Sequence, residues 1–206
     1  MTKSTTFSLL AVFGVLAVAP TTRAATVFTL YEDACTGTCG VPPFGTISLD
    51  QTTPTLVTVN ETLAANERFA GTGAGDALEF NVIGPITIGD ISTGFAVGPA
   101  PDTASAFGTF LESITCTACT GAQAGNLEGP LSFTVTSAGG ISIADFIGNA
   151  GGFFFASDIV GNNGLTGNVG TSGPSSVPEP VSLSLVGAGL LGFGMLRRRL
   201  LRLDPR

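Results

Sequence analysis

Thr46-Ile47-Ser48-Leu49-Asp50-Gln51-Thr52-Thr53-Pro54-Thr55-Leu56-Val57-Thr58-Val59-Asn60 alternates apolar and polar side chains on both sides of a turn. Successive side chains of a strand point to opposite faces, so Ile47 and Leu49 share one face before residues 51–54, and Val57 and Val59 share one after it. The two runs therefore predict an antiparallel hairpin with one apolar face.

The same signature recurs outward from this hairpin. Residues 26–31, 46–50, 55–60, 77–82, 86–91, 107–115, 131–136 and 152–160 are rich in Val, Ile, Thr and Phe and are separated by Gly, Pro, Asn and Asp. Leu131, Phe133 and Val135 point one way and Ser132, Thr134 and Thr136 the other. The crossover helices that a parallel α/β sheet needs have no counterpart in the pattern, so the fold class expected is all-β, a β-sandwich or jelly-roll-like body. One short helix is expected over residues 142–148, where Ser142 and Asp145 resemble a capping box, Gly148 a terminator, and Ile143, Phe146 and Ile147 one buried face. Phe153 and Phe155 are expected on one face of the strand that follows, and the glycines from 161 to 173 read as loop and linker.

Both ends of the chain differ from this body. Lys3 precedes an apolar stretch from Phe7 to Ala19, with small residues at Ala24 and Ala25, which reads as a signal peptide over residues 1–24 cut after Ala24; an uncleaved anchor is the alternative. At the other end Val177-Pro178-Glu179-Pro180 leads into an apolar run over residues 181–196 and then Arg197, Arg198 and Arg199. Sixteen residues of helix span about 24 Å, a marginal transmembrane length, and the arginines favour keeping that end in the cytoplasm. The prolines around Glu179 disfavour helix and leave the motif extended after the polar spacer 171–176. The domain organisation expected is thus a signal peptide (1–24), an ectodomain (25–173) and a C-terminal segment (174–206) with its motif at 177–180, a transmembrane helix at 181–196 and an Arg-rich tail at 197–206.

This C-terminal layout, with the glycine-rich core 187–194, resembles the PEP-CTERM sorting signal; the tail from Leu200 to Arg206 is longer than that pattern's usual abrupt end. The resemblance covers about the last thirty residues. It implies processing by exosortase, a membrane-embedded cysteine protease-transpeptidase of Gram-negative bacteria that also make exopolysaccharide. Pro178, Glu179 and Pro180 would be its recognition element. The partners it implies are exosortase, the inner membrane before processing, and exopolysaccharide afterwards, with the mature protein at the cell surface or outside it. A permanent membrane anchor is the rival topology.

Charge and composition limit the chemistry of the body. Between residues 25 and 173 there are thirteen acids against Arg68 as the only base, so binding nucleic acid by charge is excluded. No Asp-x-Asp-x-Asp-Gly loop gathers the acids, which read as a solvated surface rather than a calcium site. Histidine is absent from the whole chain, which removes Ser-His-Asp and Cys-His catalysis and histidine-based zinc. A glycosidase carboxylate pair survives that exclusion, but no local motif selects one, and Tyr31 stands alone in a chain without tryptophan. No enzyme and no cofactor is expected.

Cys35, Cys39, Cys116 and Cys119 form two close pairs in sequence. For an exported chain they are read as two disulfides rather than a four-thiolate zinc site or a redox centre, with local and crossed connectivities both open. Gly71-Thr72-Gly73-Ala74-Gly75 reads as a turn, because the strand-turn-helix frame of a phosphate loop is missing. Asn60-Glu61-Thr62 fits a glycosylation acceptor in or beside a strand. Two functions follow as expectations: a non-enzymatic, exosortase-sorted surface or matrix protein, or a carbohydrate-binding or carbohydrate-acting module of the same compartment.

Overall fold

The computed structural model describes residues 25–73, 75–119, 127–175 and Leu190. Residues 1–24, read above as a signal peptide, the Pro178-Glu179-Pro180 motif, the apolar run apart from Leu190, and Arg197, Arg198 and Arg199 lie outside the described residues. Among the described residues no helix is long and apolar enough to cross a membrane.

The described body is all-β and has two main sheets. The first runs, in spatial order, β1 (Thr26–Leu30), β3 (Gly45–Thr53), β4 (Leu56–Leu63), β12 (Leu131–Thr136) and β7 (Thr87–Gly89). The second runs β2 (Glu32–Asp33), β14 (Thr166–Thr171), β13 (Phe155–Val160), β6 (Leu78–Phe80), β11 (Glu112–Cys116) and β8 (Phe95–Val97), with β5 (Arg68–Phe69) also paired to β13. A small hairpin of β9 (Asp102–Ala104) and β10 (Gly108–Phe110) stands apart from both.

The opening hairpin forms as its alternation requires. β3 and β4 pair antiparallel with Leu49 opposite Val59, Ile47 opposite Glu61, and a register irregularity between Gln51 and Thr53. β3 therefore runs on through Thr53, and the turn itself falls at Pro54 and Thr55. On β12, Phe133 lies opposite Val59 and Leu131 opposite Glu61. The inward side chains of three adjacent strands thus form one apolar face, interrupted by a single carboxylate.

That face packs on the second sheet through phenylalanines. Phe80 of β6 meets Phe133 of β12 with ring centroids 5.5 Å apart, and Phe155 of β13 meets Phe28 of β1 edge-on at 4.9 Å. Offset and edge-on ring geometries of this kind add to the burial of the rings themselves. Phe44, Phe69, Phe80, Phe133 and Phe155 are all fully buried in this one core.

Several expectations need correction. Residues 107–115 make two strands rather than one: the chain breaks at exposed Leu111, so that β10 joins the small hairpin and β11 the second sheet. The helix over 142–148 is a single 3-10 turn, Ile143–Asp145, closed as expected by Asp145, whose carboxylate accepts from the Ser142 backbone N–H at 2.7 Å. Phe146 is buried, but Ile147 is exposed, because the backbone turns extended at Phe146 and the helical face ends there. Phe153 and Phe155 do not share a face: Phe153 precedes the strand and packs on Phe107, whereas Phe155 faces the main core.

The largest miss is β14. Residues 166–171 are a buried central strand, not linker. Glycine is required there by close approach: a Cβ on Gly170 would lie 2.9 Å from the Phe107 ring, and one on Gly167 would lie 2.6 Å from Cys35 Cα.

Candidate functional site

The outer face of the second sheet carries the most unusual chemistry of the described chain. On β13, Phe155, Ser157 and Ile159 turn toward the main core, so Ala156, Asp158 and Val160 turn away from it. Cross-strand partners share a face, which places Glu79 of β6 beside Ala156, Ser113 of β11 beside Glu79, and Asn168 of β14 beside Asp158. An outer face of a sheet is ordinarily wet, but this one is covered. The β9–β10 hairpin sits over it with Ala104, Phe107 and Phe110 packed on Ala156 as a second small apolar cluster.

The cover brings further acids to the sheet. Asp102 starts β9, and Asp76 lies just ahead of β6, its carbonyl accepting the Asp158 backbone N–H at 3.0 Å. Asp76, Glu79, Asp102 and Asp158 thereby act on one another: the charges of the other three raise Glu79, and the charge of Asp102 adds to the rise at Asp76. Glu79 and Asp158 are fully buried, whereas Asp76 and Asp102 are half-buried and form the side of the cluster open to water.

Three of the four acids have neutral partners. Thr72 donates to Asp158 Oδ2 through both its backbone N–H, at 2.9 Å, and its hydroxyl, at 2.6 Å. The Asp76 backbone N–H donates to Glu79 Oε1 at 3.2 Å. Ser113 Oγ lies 2.5 Å from Asp76 Oδ2 and 2.8 Å from the Pro99 carbonyl. Two glycines make room for these groups: a Cβ on Gly98 would collide with Asp76 Oδ2 and Ser113 Oγ, and one on Gly75 would lie 2.7 Å from Glu79 Oε1.

Burial dominates the electrostatics. It pushes Glu79 up to about 9, with the Asp76 N–H opposing and the charges of Asp102, Asp76 and Asp158 adding to the rise. Burial also raises Asp76 and Asp158, against the hydroxyls of Ser113 and Thr115 on the first and the Thr72 donors on the second. Arg68, the only base of the body, is not among the groups acting on any of them.

The reading of the acids as a solvated surface is therefore corrected for four of them, while Glu32, Asp33, Asp90 and Glu128 are exposed as expected. Glu61, Glu67, Glu79 and Asp158 are at most 2% exposed. The convergence is invisible along the chain because positions 76, 79, 102 and 158 are joined only by strand pairing and the hairpin cover. The signal that could have found them is a lone acid inside an apolar strand, as in Leu78-Glu79-Phe80 and Asp158-Ile159-Val160. Thr72, in the glycine segment that reads as a plain turn, is the residue that fixes Asp158.

The cysteines pair locally, Cys35 with Cys39 and Cys116 with Cys119, which decides among the open connectivities. Asp33 caps the first loop, accepting from the backbone N–H of Cys35 at 2.9 Å and of Cys39 at 3.0 Å and from the Thr38 hydroxyl at 2.6 Å. Asp33, Cys35 and Cys39 also place three potential ligand atoms within 4.8 Å of one another, but both sulfurs are committed to the disulfide, so the trio is a capped loop and not a thiolate metal centre. Asn60, in the glycosylation-like triplet, sits on β4 between β3 and β12.

Comparison of the chain with protein-family models, with curated proteins and with solved structures finds no match.

Proposed function

We propose that the chain is an exported, non-enzymatic surface or matrix protein: a disulfide-bonded β-sandwich ectodomain delivered by a signal peptide and sorted by exosortase through Pro178, Glu179 and Pro180, with the apolar run and Arg197, Arg198 and Arg199 holding it in the inner membrane until processing. The observation that carries this reading is the ordered C-terminal layout, supported by two disulfides in the body it would deliver. Disulfides persist outside the reducing cytoplasm, so the oxidised pairs fit an exported domain.

Intact mass spectrometry of the protein from its producing cells, wild type beside Glu179→Ala, tests the reading. A mature chain beginning near Ala25 and ending near Pro180, lost in the variant, is the expected result. A chain still running to Arg206 overturns sorting and makes the protein a permanently anchored one.

One observation favours the carbohydrate-binding alternative. Tyr31 is 57% exposed and lines an open groove of about 470 Å³ with Thr29, Glu32, Thr171 and Ser175. An aromatic face beside hydroxyls and a carboxylate suits a sugar ring. Binding on a glycan array that is lost in Tyr31→Ala would favour this module over a purely structural role.

A further inference from the structure

We propose that, while the apolar run over residues 181–196 holds the chain in a membrane, the body docks on the surface of that same bilayer through the exposed side chains of Ile83, Leu111 and Ile147. The inference rests on reading the run as a membrane segment and holds equally for a sorted and for a permanently anchored chain.

Exposed apolar side chains scattered singly are ordinary, but these three are gathered. Ile83, Leu111 and Ile147 are 58%, 56% and 38% exposed. They come from three separate connections between strands, and one buried residue, Asn81, ties them together. Its Oδ1 accepts the Leu111 backbone N–H at 2.8 Å, its carbonyl accepts the Ile147 N–H at 3.2 Å, and Ile83 follows it by two residues. The Ile83 N–H in turn donates to the Asp145 carbonyl at 3.0 Å. Val82 pairs with Phe146 between these contacts, and both are buried in the main core. The core thus takes Val82 and Phe146 and leaves Ile83 and Ile147 outside, on a hydrogen-bonded frame. Charge beside the patch is scarce. Residues 81–86 and 146–154 hold none, the Asp145 carboxylate is engaged by the Ser142 N–H and hydroxyl, and Glu112 is half-buried.

The place where the chain leaves the body decides what covers the patch. Thr171, Phe155 and Phe80 are partners on adjacent strands, so Asn81 lies two strand spacings, roughly 10 Å, from the end of β14. The chain then runs along β1: Pro174 pairs with Phe28, the Ser175 N–H donates to the Val27 carbonyl at 2.7 Å, and the Ser175 and Thr29 hydroxyls are 2.6 Å apart. The apolar run begins six residues after Ser175, and a chain of that length reaches no more than about 20 Å. A body held so close to the bilayer has Ile83, Leu111 and Ile147 within reach of its surface, where branched aliphatic side chains settle at the boundary of headgroups and acyl chains. Tethering makes the contact intramolecular and removes most of the entropic cost that a free protein would meet at so small a patch.

The chain contains no tryptophan, so Ile83→Trp and Leu111→Trp each place a single fluorescent reporter in the patch. Val41→Trp places one beside the Cys35–Cys39 loop, where Cys39 lies against Gly161 at the opposite end of β13 from Phe155. The full chain is reconstituted into phosphatidylcholine vesicles with and without brominated acyl chains. Brominated lipid should quench the emission at positions 83 and 111 about twofold or more and leave that at position 41 unchanged. All three positions are exposed, and either patch variant decides the result if the other perturbs the fold. Flotation of the vesicles separates two failures. A chain that does not float with them overturns the membrane reading and the docking together, whereas a chain that floats with positions 83 and 111 as little quenched as position 41 overturns the docking alone. Shielding of position 83 from iodide without quenching by brominated lipid would seat a second copy of the chain on the patch and overturn it as well.

Discussion

The Glu61 carboxyl of β4 faces the Ser157 hydroxyl of β13 across the interior between the two sheets, and Ser157 gives its one hydrogen to the Ala77 carbonyl at 2.7 Å. Neither Glu61 oxygen has a hydrogen-bond partner, and the residue is fully buried among Val59, Leu131 and their neighbours. Burial accordingly pushes Glu61 up to about 8, with Ser157 acting weakly the other way. At neutral pH the fold holds Glu61 protonated.

That proton makes Glu61 a cost at neutral pH. The unfolded chain releases it above about pH 4.5 while the fold keeps it to about 8, so unfolding is favoured by about 3 kcal/mol at pH 7. Glu61→Gln keeps the shape and removes the titration, at the expense of an amide with poor partners worth about 1–3 kcal/mol. The variant should unfold at a higher temperature than wild type at pH 8 and at an equal or lower one at pH 5. Thermal unfolding at the two pH values checks the crossing; parallel shifts would show that Glu61 does not titrate between them.

Glu79 acts in the same direction from the opposite face of the second sheet. Its folded value of about 9 lies above its ordinary 4.5, so the fold binds more protons than the unfolded chain between those limits. Stability should therefore fall as pH rises from about 5 to 9 and be greatest in mild acid. Chemical denaturation across that window, without divalent cations, should give a falling midpoint. Glu61→Gln and Glu79→Gln should each flatten the slope, and additively, since the two groups share no partner.

Gly170 tests how the cluster is covered. The Phe107 ring lies on this glycine and against Phe153, and the Phe107 carbonyl accepts from the Asn149 side-chain amide at 2.8 Å. Gly170→Ala forces the ring outward and should cost about 1–3 kcal/mol, as overpacking generally does. Because the same hairpin carries Asp102, the substitution should also expose the acids beneath it. Faster hydrogen exchange at Asp158 and Glu79 than in wild type, beyond the global loss of stability, is the expected readout.

The body was legible where a strand had one wet face and one dry face. β12 occupies residues 131–136 as its alternation requires, and the hairpin of β3 and β4 follows from Ile47, Leu49, Val57 and Val59. Legibility failed where both faces are covered. In β14 the side chains had to shrink to Gly167 and Gly170 to admit Cys35 and Phe107, so a central strand carried the composition of a linker. The acid cluster was hidden for the same reason, since a covered outer face buries residues at positions that alternation assigns to water. Very short strands such as β2 and β5 exist only through pairing with strands distant in the chain and had no local signal to read.

The disulfides close loops of only four and three residues in sequence separation, so they act locally. Chain entropy assigns loops this short about 2 kcal/mol each, well below what a crossed pairing between residues 35–39 and 116–119 would give. Peptide mapping without reduction should recover Cys35 with Cys39 and Cys116 with Cys119, with no peptide joining the two regions. The first bridge has added support: Asp33 holds both of its backbone N–H groups, and Cys39 lies against Gly161 at the end of β13. Reduction should therefore lower the thermal midpoint without abolishing the fold, and Asp33→Asn should make Cys35–Cys39 the faster bridge to reduce. A chain that unfolds completely on mild reduction at 25 °C would show that the bridges carry more of the stability than their short loops allow.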